Sequence, residues 1–204
     1  MNKIVNYLDE LIPNPKCELN YNKDYELLIA TMLSAQTTDK RVNEVTKVLF
    51  DKYKSLSELR NGSIDDIKKI IRPIGTYNKK AINIKNIADN LEKTNDKVPN
   101  DRKFLESLSG VGRKTTNVVL SNIYNEPFIA VDTHVKRVSN RLGISKSDDV
   151  YKIEKDLYKY FKGEDFSRLH HQLVLFGRYY CKSLNPKCEN CKLKVICKKR
   201  LFVK

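Results

Sequence analysis

The stretch Leu108-Ser109-Gly110-Val111-Gly112-Arg113-Lys114-Thr115 joins two segments with helical patterns, residues 101–108 and 114–124. Glycines at 110 and 112 allow a tight turn and a close approach of the backbone to a ligand. The second helix then starts with N–H groups that have no helical acceptor, and such a helix start binds anions, DNA phosphate among them. The alternative is an ordinary turn between two helices, because Gly-x-Gly alone is a common pattern.

Helical patterns continue on both sides of this helix–turn–helix segment, residues 104–120, here called the hairpin. Ser63 and Asp66 predict a capping box that opens a short helix ending near Ile71. Apolar residues recur at three- and four-residue spacing, which is typical of helices, in 3–12, 24–35, 39–53, 77–93, 101–108, 114–124, 132–142, 148–161 and 166–180. No series of alternating strands is visible, so the predicted fold class is all-α.

The chain carries 39 Lys and Arg against 25 Asp and Glu, a net charge of +14. Such a surplus favours phosphate-rich polymers or anionic membranes as partners, and a simple solvated surface is the alternative. Apolar runs such as Leu27-Leu28-Ile29-Ala30 are too short to cross a bilayer. The first residues lack the apolar stretch of a secretory peptide, so we expect a cytoplasmic protein whose thiols stay reduced.

Four cysteines near the C-terminus, Cys181, Cys188, Cys191 and Cys197, have the spacing C-x6-C-x2-C-x5-C. Four thiolates in so short a stretch predict a metal centre. Zinc and an iron–sulfur cluster both suit thiolate ligands, although zinc ribbons usually contain two C-x2-C pairs and this chain has one. Unrelated cysteines or a disulfide pair are the remaining alternatives.

Two residues have the chemistry of a nucleophile and of a charge stabiliser. Lys114 falls in the first turn of the second hairpin helix, where the helix dipole and Arg113 disfavour the ammonium form, and a neutral lysine forms Schiff bases. Asp132 precedes a helical pattern as an N-cap, and an ionised carboxylate there would oppose positive charge on a sugar. The alternatives are a phosphate-binding or solvated lysine and a plain N-cap.

The sequence resembles the endonuclease III family of DNA glycosylases in four features taken together. These are the hairpin, Lys114, the cysteine spacing and the segment Ile129-Ala130-Val131-Asp132-Thr133-His134. The resemblance implies that Lys114 and Asp132 are catalytic and that the four cysteines bind a [4Fe-4S] cluster. It implies that Gln36 fills the gap left by an extruded base, while the companion wedge, often leucine, falls on Thr76. It assigns DNA contacts to Gln36, Gly110, Val111, Gly112, Arg113, Thr115 and His134.

The same resemblance implies two helical lobes with a DNA-binding cleft between them. Residues 18–127 would form a six-helix barrel that contains the hairpin. Residues 1–17 and 128–204 would form a second helical domain, which carries the cluster loop at 181–197. Lys114 and Asp132 would face each other across the cleft.

The implied function is base-excision repair of double-stranded DNA that contains an oxidised pyrimidine or an abasic site. A lysine Schiff base would form as the base leaves, β-elimination would cut the strand 3′ to the abasic site, and the enzyme would act as a monomer. One alternative is a monofunctional mismatch glycosylase, although those relatives generally lack a lysine at the position of Lys114. The other is a non-catalytic DNA-binding iron–sulfur protein.

Overall fold

The computed structural model describes residues 2–198, and all of its regular secondary structure in that range is helical. The predicted all-α class is therefore confirmed. The helices are α1 (Lys3–Leu11), α2 (Asp24–Leu33), α3 (Asp39–Lys52), α4 (Leu56–Asn61), α5 (Ile64–Ile71), α6 (Tyr77–Leu91), α7 (Arg102–Ser107), α8 (Arg113–Tyr124), α9 (Thr133–Leu142), α10 (Val150–Tyr160) and α11 (Phe166–Tyr179). Two 3-10 helices cover Glu92–Thr94 and Lys192–Val195.

One local prediction was wrong and one helix was missed. Ser63 does precede α5, but its hydroxyl makes no capping hydrogen bond, so the predicted capping box is not formed there. Helix α4 was not predicted, because only Leu56 and Leu59 of its six residues are buried and so short a pattern shows no periodicity. Its signal in the sequence was Ser55 with Glu58 three residues later: the Ser55 hydroxyl accepts from Glu58 N–H at 3.2 Å.

The chain divides into two compact units, one made of residues 17–124 and the other of 1–16 with 125–204. The limits expected from the sequence, 18–127 and 1–17 with 128–204, differ from these by one and three residues.

In the unit 17–124, α2 is the central helix. Leu27, Leu28, Ile29, Ala30 and Leu33 are all fully buried, and α2 packs against α3, α6 and α8. A helix that is apolar on every side is covered by neighbours on every side. This packing fixes where α2 ends, next to the turn that carries Gln36.

In the other unit, α9 and α11 pack closely together and α1 lies against α11. A Cβ atom at Gly177 would lie 2.9 Å from the His134 Cβ, so the contact between α9 and α11 requires glycine. Gln172 on α11 donates to the Asp9 carboxylate on α1 at 2.8 Å. Among residues 2–198, none of the helices combines the length and apolarity that a membrane crossing requires.

Candidate functional site

The hairpin, residues 104–120, consists of the last part of α7, a turn over residues 108–112 and the first part of α8. Val111 N–H donates to Leu108 O at 3.1 Å and closes the turn, and Gly110 has a φ of +79°, which favours glycine. A Cβ atom at Gly110 would lie 2.3 Å from Asn83 Nδ2, whereas a Cβ atom at Gly112 would meet nothing within 4 Å. The first glycine is therefore required by the fold, and the second leaves open space beside the backbone.

Helix α6 holds the hairpin from beneath. The Asn86 Oδ1 accepts from Ser109 N–H at 3.1 Å, and Asn83 lies against Gly110. The side chain of Val111 is buried, with 4% exposed, so any contact of Val111 with a ligand would involve its backbone. These contacts fix the turn that precedes α8.

Lys114 is the second residue of α8 and is exposed, while Thr115 and Thr116 behind it are buried. Thr116 N–H donates to Gly112 O at 3.0 Å, which starts the helix at the second glycine. The structure therefore exposes the amine of Lys114 to solvent at the N-terminal end of α8, where backbone N–H groups have no helical acceptor.

Gln36 and Thr76 lie in two exposed turns of the same unit, and both have left-handed backbones with a φ of +57°. Such values are uncommon for residues other than glycine, and they cluster at functional turns. Gln36 follows the end of α2, and Thr76 precedes α6, where its hydroxyl donates to Gly75 O at 2.7 Å. The turn predicted to contact DNA through Gln36 and the turn at Thr76, which departs from the family's wedge residue, therefore share an unusual backbone conformation.

Asp132 caps α9, and its Oδ1 accepts from Val135 N–H at 2.8 Å. The predicted N-cap is confirmed, and the backbone at Asp132 is extended, as an N-cap requires. His134, the second residue of the helix, has Arg137 Nη2 at 3.2 Å from its Nδ1. Burial lowers the pKa of His134 and the Arg137 guanidinium adds to that effect, while Asp132 opposes it.

The four predicted ligands lie in one loop after α11, and each cysteine is partly exposed. Within residues 2–198, no three His, Cys, Asp or Glu side chains converge into a formed metal site. The backbone is nevertheless ordered by hydrogen bonds: Cys191 N–H donates to Cys188 O, and Cys197 N–H donates to Leu193 O. Burial raises the pKa of the Cys191 thiol, and the nearby thiols of Cys181 and Cys188 raise it further.

Arg141 in α9 contacts the cysteine loop, and the sequence did not predict this contact. Its buried guanidinium donates to Cys181 O at 3.3 Å, Lys182 O at 2.6 Å and Ser183 O at 3.2 Å. It also lies 3.4 Å from Cys181 Sγ, and Arg141 O accepts from the Cys197 thiol. An arginine in α9 gives no sequence signal for this role, because its acceptors are mostly backbone carbonyls of a distant segment.

Comparison with known proteins places this arrangement in a class of DNA-repair proteins. Residues 29–162 match the HhH-GPD superfamily of base excision DNA repair proteins. The structure of a thermostable thymine-DNA glycosylase shares the fold, with a TM-score of 0.81 at 24% identity, over 96% of this chain and 92% of that one.

Within that class, the similarity to endonuclease III is much higher. Endonuclease III of Bacillus subtilis is 44% identical over 94% of this chain and 88% of the relative, and that of Escherichia coli is 42% identical over 96% and 93%. A trapped covalent intermediate of endonuclease III with DNA has a TM-score of 0.90 at 44% identity, covering 95% of this chain and 92% of that one. The chain belongs to the endonuclease III family. The predicted enzyme class, DNA glycosylase and abasic-site lyase, is confirmed.

Proposed function

We propose that this enzyme removes oxidised pyrimidines from double-stranded DNA and then cuts the strand at the resulting abasic site. The observation that carries the proposal is the exposed Lys114 at the start of α8, directly after the glycine turn. It is supported by the similarity to an endonuclease III that was trapped covalently on DNA.

Lys114 acts as the nucleophile of this reaction. The damaged nucleotide is flipped out of the stack, since its anomeric carbon is not reachable within the duplex. The neutral amine of Lys114 attacks that carbon, the bond to the base breaks, and the base leaves with the bonding electron pair and takes up a proton. Ring opening gives the Schiff base, and loss of a C2′ proton then expels the 3′ phosphate by β-elimination.

Asp132 stabilises the positive charge that develops on the sugar as the base departs. Its side chain lies at the start of α9, the end at which the helix dipole is positive. The capping bond from Val135 N–H fixes the orientation of the carboxylate. The other DNA contacts are those of the Arg113 and His134 side chains, of the backbone N–H of the buried Thr115, and of Gln36, which fills the space that the flipped nucleotide vacates.

The hairpin binds the phosphate backbone through the N–H groups of Gly110 and Gly112 and of the first turn of α8, since the Val111 N–H closes the turn. Such contacts position a duplex without reading its sequence. The open space beside Gly112 lets a phosphate approach the backbone closely.

Cys181, Cys188, Cys191 and Cys197 hold a [4Fe-4S] cluster. Four cysteine donors in one short loop are the ligand set that such a cluster takes, and the bond from Cys191 N–H to Cys188 O holds two of them together. Bound to the loop, the cluster supplies four covalent cross-links, which order a segment that has little core of its own. Arg141 balances part of the thiolate charge through its contact with Cys181 Sγ.

Reductive trapping on duplex DNA with one oxidised pyrimidine tests the nucleophile. With borohydride, the wild-type enzyme should form a covalent adduct, and Lys114→Gln should form none and release no base. Lys103→Gln is a matched control, because it removes the same charge from an exposed lysine of α7. A full yield of adduct with Lys114→Gln on a ready-made abasic site would move the nucleophile to another residue.

A further inference from the structure

A buried lysine connects the two left-handed turns of the unit 17–124. The side chain of Lys80 on α6 is almost entirely covered, with 5% exposed. Its ammonium donates to Leu33 O at 2.9 Å and to Ala35 O at 2.7 Å. Its backbone N–H donates to Thr76 O at 3.1 Å. The side chain thus bonds to the Gln36 turn, while the backbone bond to Thr76 O is the ordinary first helical bond of α6, which follows the Thr76 turn.

The two backbone carbonyls that accept from the Lys80 ammonium lie just before Gln36 in the chain. Leu33 O belongs to the last residue of α2, where helical carbonyls lack helical donors. Ala35 O is the carbonyl of the peptide that immediately precedes Gln36, so its direction is coupled to the backbone of Gln36. The left-handed conformation of Gln36 is uncommon and persists only where its surroundings enforce it.

Burying the Lys80 ammonium costs free energy, which its hydrogen bonds to the two carbonyls help to offset. Burial lowers the pKa of Lys80, since a charged group is disfavoured away from water. Charged donors form stronger hydrogen bonds than neutral ones, and two carbonyls offset part of that cost. A neutral residue would fill the same space without desolvating a charge, but it would leave both carbonyls without this donor.

We propose that Lys80 is a positioning residue that holds the Gln36 turn, relative to the Thr76 turn, in the conformation that captures a flipped nucleotide. The proposal rests on the role given to Gln36 above. Lys80 itself touches neither the DNA nor the reacting atoms. Its effect on the reaction passes through the Ala35–Gln36 peptide.

Lys80→Met tests this inference, because methionine keeps an unbranched apolar stem and removes the amine. Lys85→Met is a matched control on the same helix: the Lys85 ammonium donates to Leu59 O, Arg60 O and Gly62 O, at the end of α4 rather than beside Gln36. Both variants lose a lysine that bonds to carbonyls at the end of a helix. Only the first should affect the Gln36 turn.

We expect Lys80→Met to speed hydrogen exchange at the amides of residues 34–37 and to slow base release from duplex DNA by about 10- to 100-fold, since small misplacements cost on that order. Adduct formation on an abasic site in single-stranded DNA should be unchanged, because no gap in a duplex needs filling there. Lys85→Met should be normal on both substrates. If Lys80→Met does not fold, Lys80→Gln, which keeps a shorter neutral donor, replaces it with the same expected pattern.

A double-mutant cycle with Gln36→Ala completes the test. If Lys80 acts through Gln36, the double variant should release base no more slowly than Gln36→Ala alone. The inference would be overturned if the rate losses of the two single variants multiplied in the double variant. Normal hydrogen exchange at residues 34–37 in Lys80→Met would overturn it as well. A wild-type rate for Gln36→Ala would instead overturn the role of Gln36, and the exchange measurement would still decide whether Lys80 holds the turn.

Discussion

The Asp132 side chain caps α9 through its Oδ1, and the same carboxylate carries the charge proposed to oppose the developing cation. These two properties can be separated, because asparagine caps helices about as well as aspartate but carries no charge. We expect Asp132→Asn to change the free energy of unfolding by less than about 0.5 kcal/mol and to slow base release by ~10²-fold or more. Urea unfolding and single-turnover kinetics measure the two effects.

Asp149→Asn is the control for this prediction. Asp149 caps α10 with the same geometry, and its Oδ1 accepts from Lys152 N–H at 2.8 Å. It should show the same small change in stability and normal turnover. A large loss of stability in Asp132→Asn, together with normal activity per folded molecule, would leave Asp132 with the role of a cap alone.

At the scale of single residues, the sequence could identify groups whose chemistry is local. Asp132 was predictable as an N-cap because the capping bond joins residues three apart. Lys80 and Arg141 were not predictable, because they bond to backbone carbonyls far away in the chain. A carbonyl is the same in every residue, so nothing in the sequence marks it as a partner.

At the scale of elements, every α-helix of residues 2–198 except α4 was predictable from the sequence. Helices such as α3 and α11 repeat their buried positions over several turns, so their boundaries were predicted to within about two residues. Helix α4 has only six residues, and its formation depends on burial of Leu56 and Leu59. Its boundaries depend on tertiary packing, which the spacing of apolar residues in the sequence does not indicate.

The cysteine loop depends on its ligands more than on its core. Between residues 188 and 197, Leu193 is the one buried side chain. We therefore expect Cys191→Ser to lower the iron content from about four per chain, to remove the broad absorption in the blue and to expose the loop to protease. Iron analysis, absorption spectra and limited proteolysis of anaerobically purified protein measure these changes.

Cys17→Ser provides the control, because Cys17 lies outside the loop in the other unit. It should keep its iron and its resistance to protease. Stoichiometric zinc without iron in the anaerobically purified wild type would contradict the assignment of an iron–sulfur cluster.

At the scale of the whole molecule, the net charge of +14 implies a binding mode that tolerates any sequence. A glycosylase must scan undamaged DNA, and contacts with phosphates supply affinity without reading bases. In the proposed binding mode, the hairpin contributes backbone N–H groups, and surrounding lysines and arginines contribute charge. These two kinds of contact differ in their response to salt, because only the charged side chains replace condensed counterions.

We therefore expect affinity for undamaged duplex to fall steeply with salt, by roughly 100-fold between 50 and 200 mM if about four phosphates are neutralised. Fluorescence anisotropy across that range gives the slope of log affinity against log salt concentration. Arg113→Gln, at the hairpin, should make the slope shallower by about one unit. Lys47→Gln removes the same charge from α3, outside the hairpin, and should leave the slope unchanged. Equal changes in the two variants would mean that diffuse charge governs binding, and a slope near zero in the wild type would exclude phosphate contacts as its main source.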